Sequence, residues 1–370
     1  MSKKIEYTTF ANRFSSKYPL LSYLGIQVNF WVIANLLLAT IIILYNKVYS
    51  LSFHVNTPFS NIIILAIAVL FGHLYGISYG LLGYYLDKGI FKKKPIGKII
   101  LIKAIGSLSL LIVLIYLLHF ILTNIPQEII RIPTLQKEIW DYIFYLMLVY
   151  FLFMSILINY INVVNKKYGP GILVPILFGR YRKPREENRI FMFMDLQSST
   201  STAEALGHLK YSAYIRDCFD DINDVLFSYR AQIYQYVGDE IVVTWPEQEG
   251  LIDNCCILFY FACKRQFQDR EAYYIKNYGV TPTFKAGLHG GIVSAVEIGE
   301  IKKDIAYHGD TINTASRIQS ICNQYNKSFL TSEYISNIAN SINGIKSEQI
   351  GEILLRGKTE PIAIFSIEEV

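Results

Sequence analysis

Residues 189–200 read RIFMFMDLQSST, and five unbroken apolar residues run directly into Asp195. A short apolar run of this kind, rich in large and aromatic side chains, is the pattern of a buried strand. The polar residues that follow, Gln197 to Thr200, lead into a predicted helix whose first N–H groups and hydroxyls suit phosphate oxygens. Residues 234–243, YQYVGDEIVV, place a second carboxylate, Asp239, in a similar setting. There the strand-like pieces QIYQYV and IVVTW flank Gly238-Asp239, as in a tight hairpin. Asp195 alone would serve equally well as a helix cap after a strand. Two strand-borne carboxylates that converge can instead hold a pair of divalent cations, an arrangement suited to a triphosphate.

Working outward, FKAGLHG and GIVSAVEIG also read as strands, and helices are predicted over 202–229, 251–278 and 310–324. This mixture implies an α+β or α/β sandwich. Within the third helix, the segment YHGDTINTASRIQ sets Asn313 and Arg317 four residues apart, on one helical face.

In this order, from about Arg189 to the C-terminus, these segments resemble the catalytic domain of the class III nucleotidyl cyclases, the adenylate and guanylate cyclase family. The resemblance implies an α+β fold with a ferredoxin-like βαββαβ core. It implies that Asp195 and Asp239, with the backbone of Leu196, bind two Mg²⁺ or Mn²⁺ ions per site. Asn313 would orient the ribose, and Arg317 would meet the charge developing at the α-phosphate. The family's basic residue for the terminal phosphates falls on Arg356 in LLRGKTEP, with Lys358 two residues on as the alternative. The family shares each site between two protomers, so a homodimer is implied. The activity implied is conversion of a nucleoside triphosphate, ATP above all, to a 3′,5′-cyclic nucleotide and pyrophosphate.

The base-recognition positions depart from the family. Adenylate cyclases usually carry a lysine and an aspartate or threonine there, and guanylate cyclases a glutamate and a cysteine; this chain has Gln235 and Ala306. A glutamine amide can accept and donate to adenine at once, but it can also flip to suit another base. ATP is expected by analogy with bacterial membrane cyclases. A guanylate or pyrimidine cyclase and a non-catalytic nucleotide receptor are the alternatives. Retention of Asp195, Asp239 and Arg317 argues against the receptor.

The first half is of another kind. Over all 370 residues the hydrophobic share is 52%, and the excess lies before residue 163. Apolar stretches run over 28–45, 62–86, 104–122 and 142–161, each near the length that crosses a bilayer. Lys and Arg crowd the N-terminal tail, the loop holding Lys88 to Lys98 and the segment from Lys166 to Arg185, which places both termini in the cytoplasm. The expected organisation is a cytoplasmic tail over 1–26, a four-span membrane domain over 27–163, a juxtamembrane linker over 164–188 and the catalytic domain over 189–370, in the inner membrane. No cleavable signal peptide is expected. The net charge of +5 follows from the loop bias and does not call for nucleic acid. An ion-coupled transporter is disfavoured, because the spans hold no acidic residue. Gly72, Gly76 and Gly80 form a small-residue face for packing within the bundle, with His73 as a polar packing residue beside it. The apolar piece 172–178 is expected at the membrane surface or against the catalytic domain. All five cysteines lie in the second half, with no zinc-site spacing, and are expected to be buried thiols.

Overall fold

The computed structural model describes residues 18–54, 60–88, 95–124, 137–168, 178–301, 303–339 and 342–370, in two compact units that divide after Tyr168. Most of the N-terminal tail, the lysines at 92–94 and the apolar piece 172–177 lie outside the described residues.

The first unit consists of helices α1 (Pro19–Phe53), α2 (Asn61–Lys88), α3 (Ile96–Asn124) and α4 (Lys137–Tyr168). Each is long and apolar enough to cross a membrane. Around a core that includes Trp31, Tyr75 and Phe151, their outer surface is apolar where that of a water-soluble bundle would be polar. Ile33, Leu44, Ile62 and Val149 are more than 60% exposed, whereas Gln27, Ser107 and Ser155 are fully enclosed. A hydrocarbon surround would favour this arrangement, with apolar side chains outward and polar ones enclosed by the other helices. The Tyr75 hydroxyl donates to the Ser107 carbonyl at 2.7 Å, and that of Tyr79 to Asn159 Oδ1 at 3.0 Å. The glycine face packs within the bundle, as expected. A Cβ added at Gly72 would lie 2.8 Å from Val32 Cα, and one at Gly76 2.7 Å from Val28 Cα, so α1 and α2 meet backbone to backbone. His73 differs from expectation: its side chain is exposed, with Nδ1 2.8 Å from the Val69 carbonyl oxygen one turn back. It is satisfied by its own helix.

The second unit begins with β1 (Arg185–Leu196), α5 (Ser199–Leu226), β2 (Gln232–Val237), β3 (Glu240–Pro246), α6 (Glu247–Leu251), α7 (Cys255–Asp269), α8 (Glu271–Tyr278) and β4 (Phe284–Ile298). It continues with β5 (Asp304–His308), α9 (Asp310–Ser320), β6 (Phe329–Ser332), α10 (Glu333–Ala339), β7 (Ile345–Ile353) and β8 (Ile362–Glu369). The strands form one sheet in the order β2-β3-β1-β4-β6-β8-β7, with β5 paired to β4. The first four strands, with α5 and α7, are the antiparallel βαββαβ unit in ferredoxin-like order.

Residues 190–194 of strand β1 are apolar without interruption because both faces of the strand are covered there. Ile190, Met192, Met194 and Leu196 enter the core beneath α5 and α7, while Phe191 and Phe193 pack with Tyr307 and Ala315 beneath β5 and α9. Asp195 is the next residue on the α9 face, where the apolar cover ends. The period of two therefore sets the side on which the carboxylate emerges.

Several elements differ from the sequence reading. FKAGLHG and GIVSAVEIG are one continuous strand, since Gly290 and Gly291 pair with Ile190 and Arg189 without a break. These glycines admit close neighbours: a Cβ at Gly290 would lie 3.0 Å from the Tyr334 ring, and one at Gly291 2.7 Å from Thr311 Oγ1. The helix expected over 251–278 is divided, with Arg270 leaving helical geometry at φ −105° and ψ 14° between α7 and α8. All five cysteines are buried and free.

Gly287 fixes how α9 seats on the sheet. A Cβ there would fall 2.2 Å from Gln319 N and 2.7 Å from the Ala315 carbonyl oxygen, both backbone atoms of the helix. Gly287→Ala should force the helix outward and lower stability by roughly 1–3 kcal/mol. Thermal unfolding against Gly97→Ala, whose Cβ would meet nothing within 4 Å, checks this. Equal melting temperatures would show that α9 is not pinned there.

Candidate active site

Asp195 lies next to the end of β1, opposite Glu240 of β3 on one side and Lys285 of β4 on the other. Asp239 occupies the two-residue turn between β2 and β3, behind Gly238 at φ 64°, a backbone state that suits glycine. The turn therefore presents Asp239 beside the end of β1. Half-burial and then the negative charge of Asp239 push the Asp195 carboxyl above the usual range, while the Gln319 side chain and the Leu196 N–H act in the opposite direction. Glu240, whose proximity to this pair the sequence reading missed, is pushed up to about 7 by burial and by Asp195 and Asp239. Among the described residues none of the three takes part in an ion pair.

An open cleft of about 440 Å³ adjoins Asp195 and Leu196 and is lined further by Gln197 to Ser201, Glu204, Lys285 and Asn323. Ser198 adopts φ 57° at the start of α5, and its carbonyl accepts from the Thr202 N–H at 3.0 Å. This bend turns the first residues of the helix toward the cleft. Lys285 donates to Asn323 Oδ1 and brings a cation to the same cleft. Its place depends on the β1–β4 register, which local sequence does not reveal.

The donor set suits divalent cations. The carboxylates of Asp195 on β1 and Asp239 in the hairpin turn repel one another, and a cation between them would remove that cost. Among the described residues no three His, Cys, Asp or Glu side chains converge on one point as a closed metal cage. Mg²⁺ commonly takes one or two carboxylates and completes its shell with water and substrate phosphates. The cleft beside Asp195 leaves room for such ligands.

A pH dependence follows. Because Glu240 titrates near 7 in the fold and near 4.5 in the unfolded chain, the folded state binds more protons between those values. Metal-free stability should then fall as pH rises through that window. Mn²⁺ favours the ionised carboxylates, so its gain in melting temperature should be larger at about pH 7.5 than at about pH 5. A gain independent of pH would tell against metal binding at these carboxylates.

Asn313 and Arg317 lie on α9, but not on the side that meets Asp195. Ala315 and Gln319 seat on Gly287, and residues two positions earlier project about 200° around the helix. Asn313 is accordingly exposed, and the Arg317 guanidinium lies against Gly357 in the turn before β8. Of the two alternative cations in that turn, Lys358 pairs with Asp310, while Arg356 is exposed. Gln235 is exposed on β2 and Ala306 is buried on β5. Their chain neighbours Tyr234 and Tyr307 touch, with ring centroids 5.1 Å apart and the Tyr307 N–H donating to Tyr234 Oη at 3.3 Å. The two positions expected to meet the base thus flank one aromatic contact.

Residues 181–368 match the family model described as the adenylate and guanylate cyclase catalytic domain, a span that contains every candidate site residue above. Among curated proteins, the chain is 36% identical over 220 residues to Adenylate cyclase 2 of Rhizobium meliloti, covering 60% of this chain and 61% of that protein. It is 24% identical over 183 residues to the Adenylate cyclase of Anabaena cylindrica, covering 48% of this chain and 36% of that protein. It therefore spans less than two thirds of these relatives' own lengths. Asp195, Asp239, the start of α5 and the Asn313–Arg317 face occur within the matched span, and the chain belongs to the adenylate and guanylate cyclase family.

Proposed function

We propose that this protein is a membrane-anchored adenylate cyclase that converts ATP to 3′,5′-cyclic AMP and pyrophosphate in a homodimer. The observation that carries the reading is Asp195, near enough to Asp239 to feel its charge, beside a cleft that also holds Lys285 and the start of α5. In the reaction the ribose 3′-oxygen bonds to the α-phosphorus, the bond to the pyrophosphate oxygen breaks, and the hydroxyl proton is released. Asp195 and Asp239, with the Leu196 backbone, would hold two Mg²⁺ or Mn²⁺ ions, which supply Lewis-acid activation of the 3′-oxygen and charge neutralisation. Lys285 and the N–H groups after Ser198 bind phosphate oxygens. Asn313 orients the ribose, Arg317 stabilises the charge at the α-phosphate, and Arg356, the exposed cation of its turn, takes the terminal phosphates.

The direction of Asn313 and Arg317, away from the Asp195 face, supports a site completed by a second copy. The outward-facing apolar side chains of α1 to α4 support anchoring in the inner membrane. The lysine and arginine bias supports a cytoplasmic catalytic unit. Incubation of the purified protein with ATP, GTP, CTP and UTP plus Mn²⁺, with products identified by mass, tests the reading. Cyclic AMP as the main product supports it, and a different cyclic nucleotide would reassign the base.

Base choice has its own test. Gln235→Lys with Ala306→Asp should raise the preference for ATP over GTP, with each well-placed polar contact contributing at most about 1–3 kcal/mol. Unchanged kcat/KM ratios would mean that these positions do not face the base.

A further inference from the structure

The segment LLRGKTEP, residues 354–361, carries two cations, and the structure gives them different surroundings, Lys358 against α9 and Arg356 exposed. Leu355 is 2% exposed and anchors the segment among Ile318, Cys322, Leu330 and Ile364. The Lys358 N–H donates to the Leu355 carbonyl at 3.0 Å and closes a tight turn, with Gly357 at φ 74° inside it. From this turn the Lys358 ammonium reaches Asp310, the first residue of α9, and its side chain is only 18% exposed. Thr314 Oγ1 donates to the same Asp310 oxygen at 3.4 Å. At the other end, a Cβ on Gly357 would lie 3.2 Å from Arg317 Nη2, so the backbone of the turn lies directly against the guanidinium.

Asp310 and Arg317 are seven residues apart, which places them on one stripe of the helix about 10 Å apart along its axis. Long helical side chains lean toward the N-terminus, so Arg317 reaches back toward Gly357 as Lys358 reaches forward to Asp310. His289 borders this arrangement, with Nδ1 2.7 Å from Ser332 Oγ. Burial, and then the Lys358 charge, lower its pKa to about 4. It stays neutral at pH 7 and does not compete with Lys358 for the carboxylate. The Lys358 hydrogen bond in turn holds the Asp310 carboxyl below its usual range.

We infer that Asp310 and Lys358 are positioning residues: their ion pair clamps the 355–358 turn along α9 and thereby sets the place of the Arg317 guanidinium. This rests on the cyclase reading above. The clamp also explains why the turn carries two cations, since Lys358 is committed to Asp310 and Arg356 alone faces outward.

The test compares Asp310→Asn, Lys358→Met, the double variant and the charge swap Asp310→Lys with Lys358→Asp, all in the full-length protein. Loosening Arg317 should cut kcat about ten- to a hundredfold, as small misplacements of transition-state groups do, with nucleotide KM changed less than about threefold. The double variant should be no worse than the weaker single, because both singles break one contact. The charge swap should recover most of the lost kcat. If Lys358 binds phosphate directly, Asp310→Asn will stay near wild-type rate while Lys358→Met loses affinity, and the clamp is overturned. Additive losses with no recovery in the swap overturn it as well. Melting temperatures of the same set separate a folding defect from a positioning one and give the pair's coupling without any assay. A wild-type protein that forms no cyclic nucleotide would instead overturn the function, leaving the coupling measurement to judge the clamp.

Discussion

Asp195→Ala and Asp239→Ala should each reduce cyclic nucleotide formation by about a thousandfold or more, the scale expected when several kcal/mol of metal-borne charge stabilisation is lost. The fold should survive both changes. Asp195 is held half-buried against the charge of Asp239, which raises its pKa, so the folded metal-free protein gains little from keeping it ionised. Truncation removes that repulsion together with the Gln319 hydrogen bond, and melting temperatures without metal should stay close to wild type. The diagnostic change is in the response to Mn²⁺. Wild type should melt higher as Mn²⁺ is added, by the linkage between ligand binding and the folded state, and neither variant should respond as strongly. Near-normal turnover with Mg²⁺ in either variant would refute the two-carboxylate assignment.

The sequence shows this site unevenly, for physical reasons. Strand β1 is legible because burial on both faces leaves an unbroken apolar run, and Asp195 marks where that cover stops. The β2–β3 hairpin is legible because Gly238 must adopt positive φ. The face of α9 is legible because helical periodicity alone puts Asn313 beside Arg317. Lys285, Gln319 and Glu240 are not legible, since each reaches Asp195 through strand register or helix seating, which are non-local. The double glycine at Gly290 and Gly291 suggests a turn, yet tertiary neighbours hold it in an extended strand. In the C-terminal part, short β6 and the bulged β7–β8 pair lack the regular alternation that would mark them as strands. The two cations of LLRGKTEP are equivalent in sequence and become distinct only when Asp310 arrives beside one of them.

The turning of Asn313 and Arg317 away from the carboxylate face gives the most demanding prediction. Asp195→Ala and Arg317→Ala should each be inactive when expressed alone, and the two expressed together should recover activity. In a mixed dimer, one site takes its carboxylates from the Arg317→Ala chain and its arginine from the Asp195→Ala chain, so it is complete, while the other site lacks both. With equal expression and random pairing, about half of the two-fold dimers are mixed and each has one working site of two, so recovery should be roughly a quarter of wild type. Helices with as much exposed apolar surface as α1 to α4 will not exchange once inserted in a bilayer, so both chains must be made in one cell. The packing of Ala315 and Gln319 on Gly287 is what keeps Arg317 from swinging round to its own Asp195. Gly287→Ala should therefore weaken the recovered activity along with that of wild type. Zero recovery in demonstrated mixed dimers would mean that each chain builds its own site, with Arg317 placed by a rearrangement of α9 rather than by a partner.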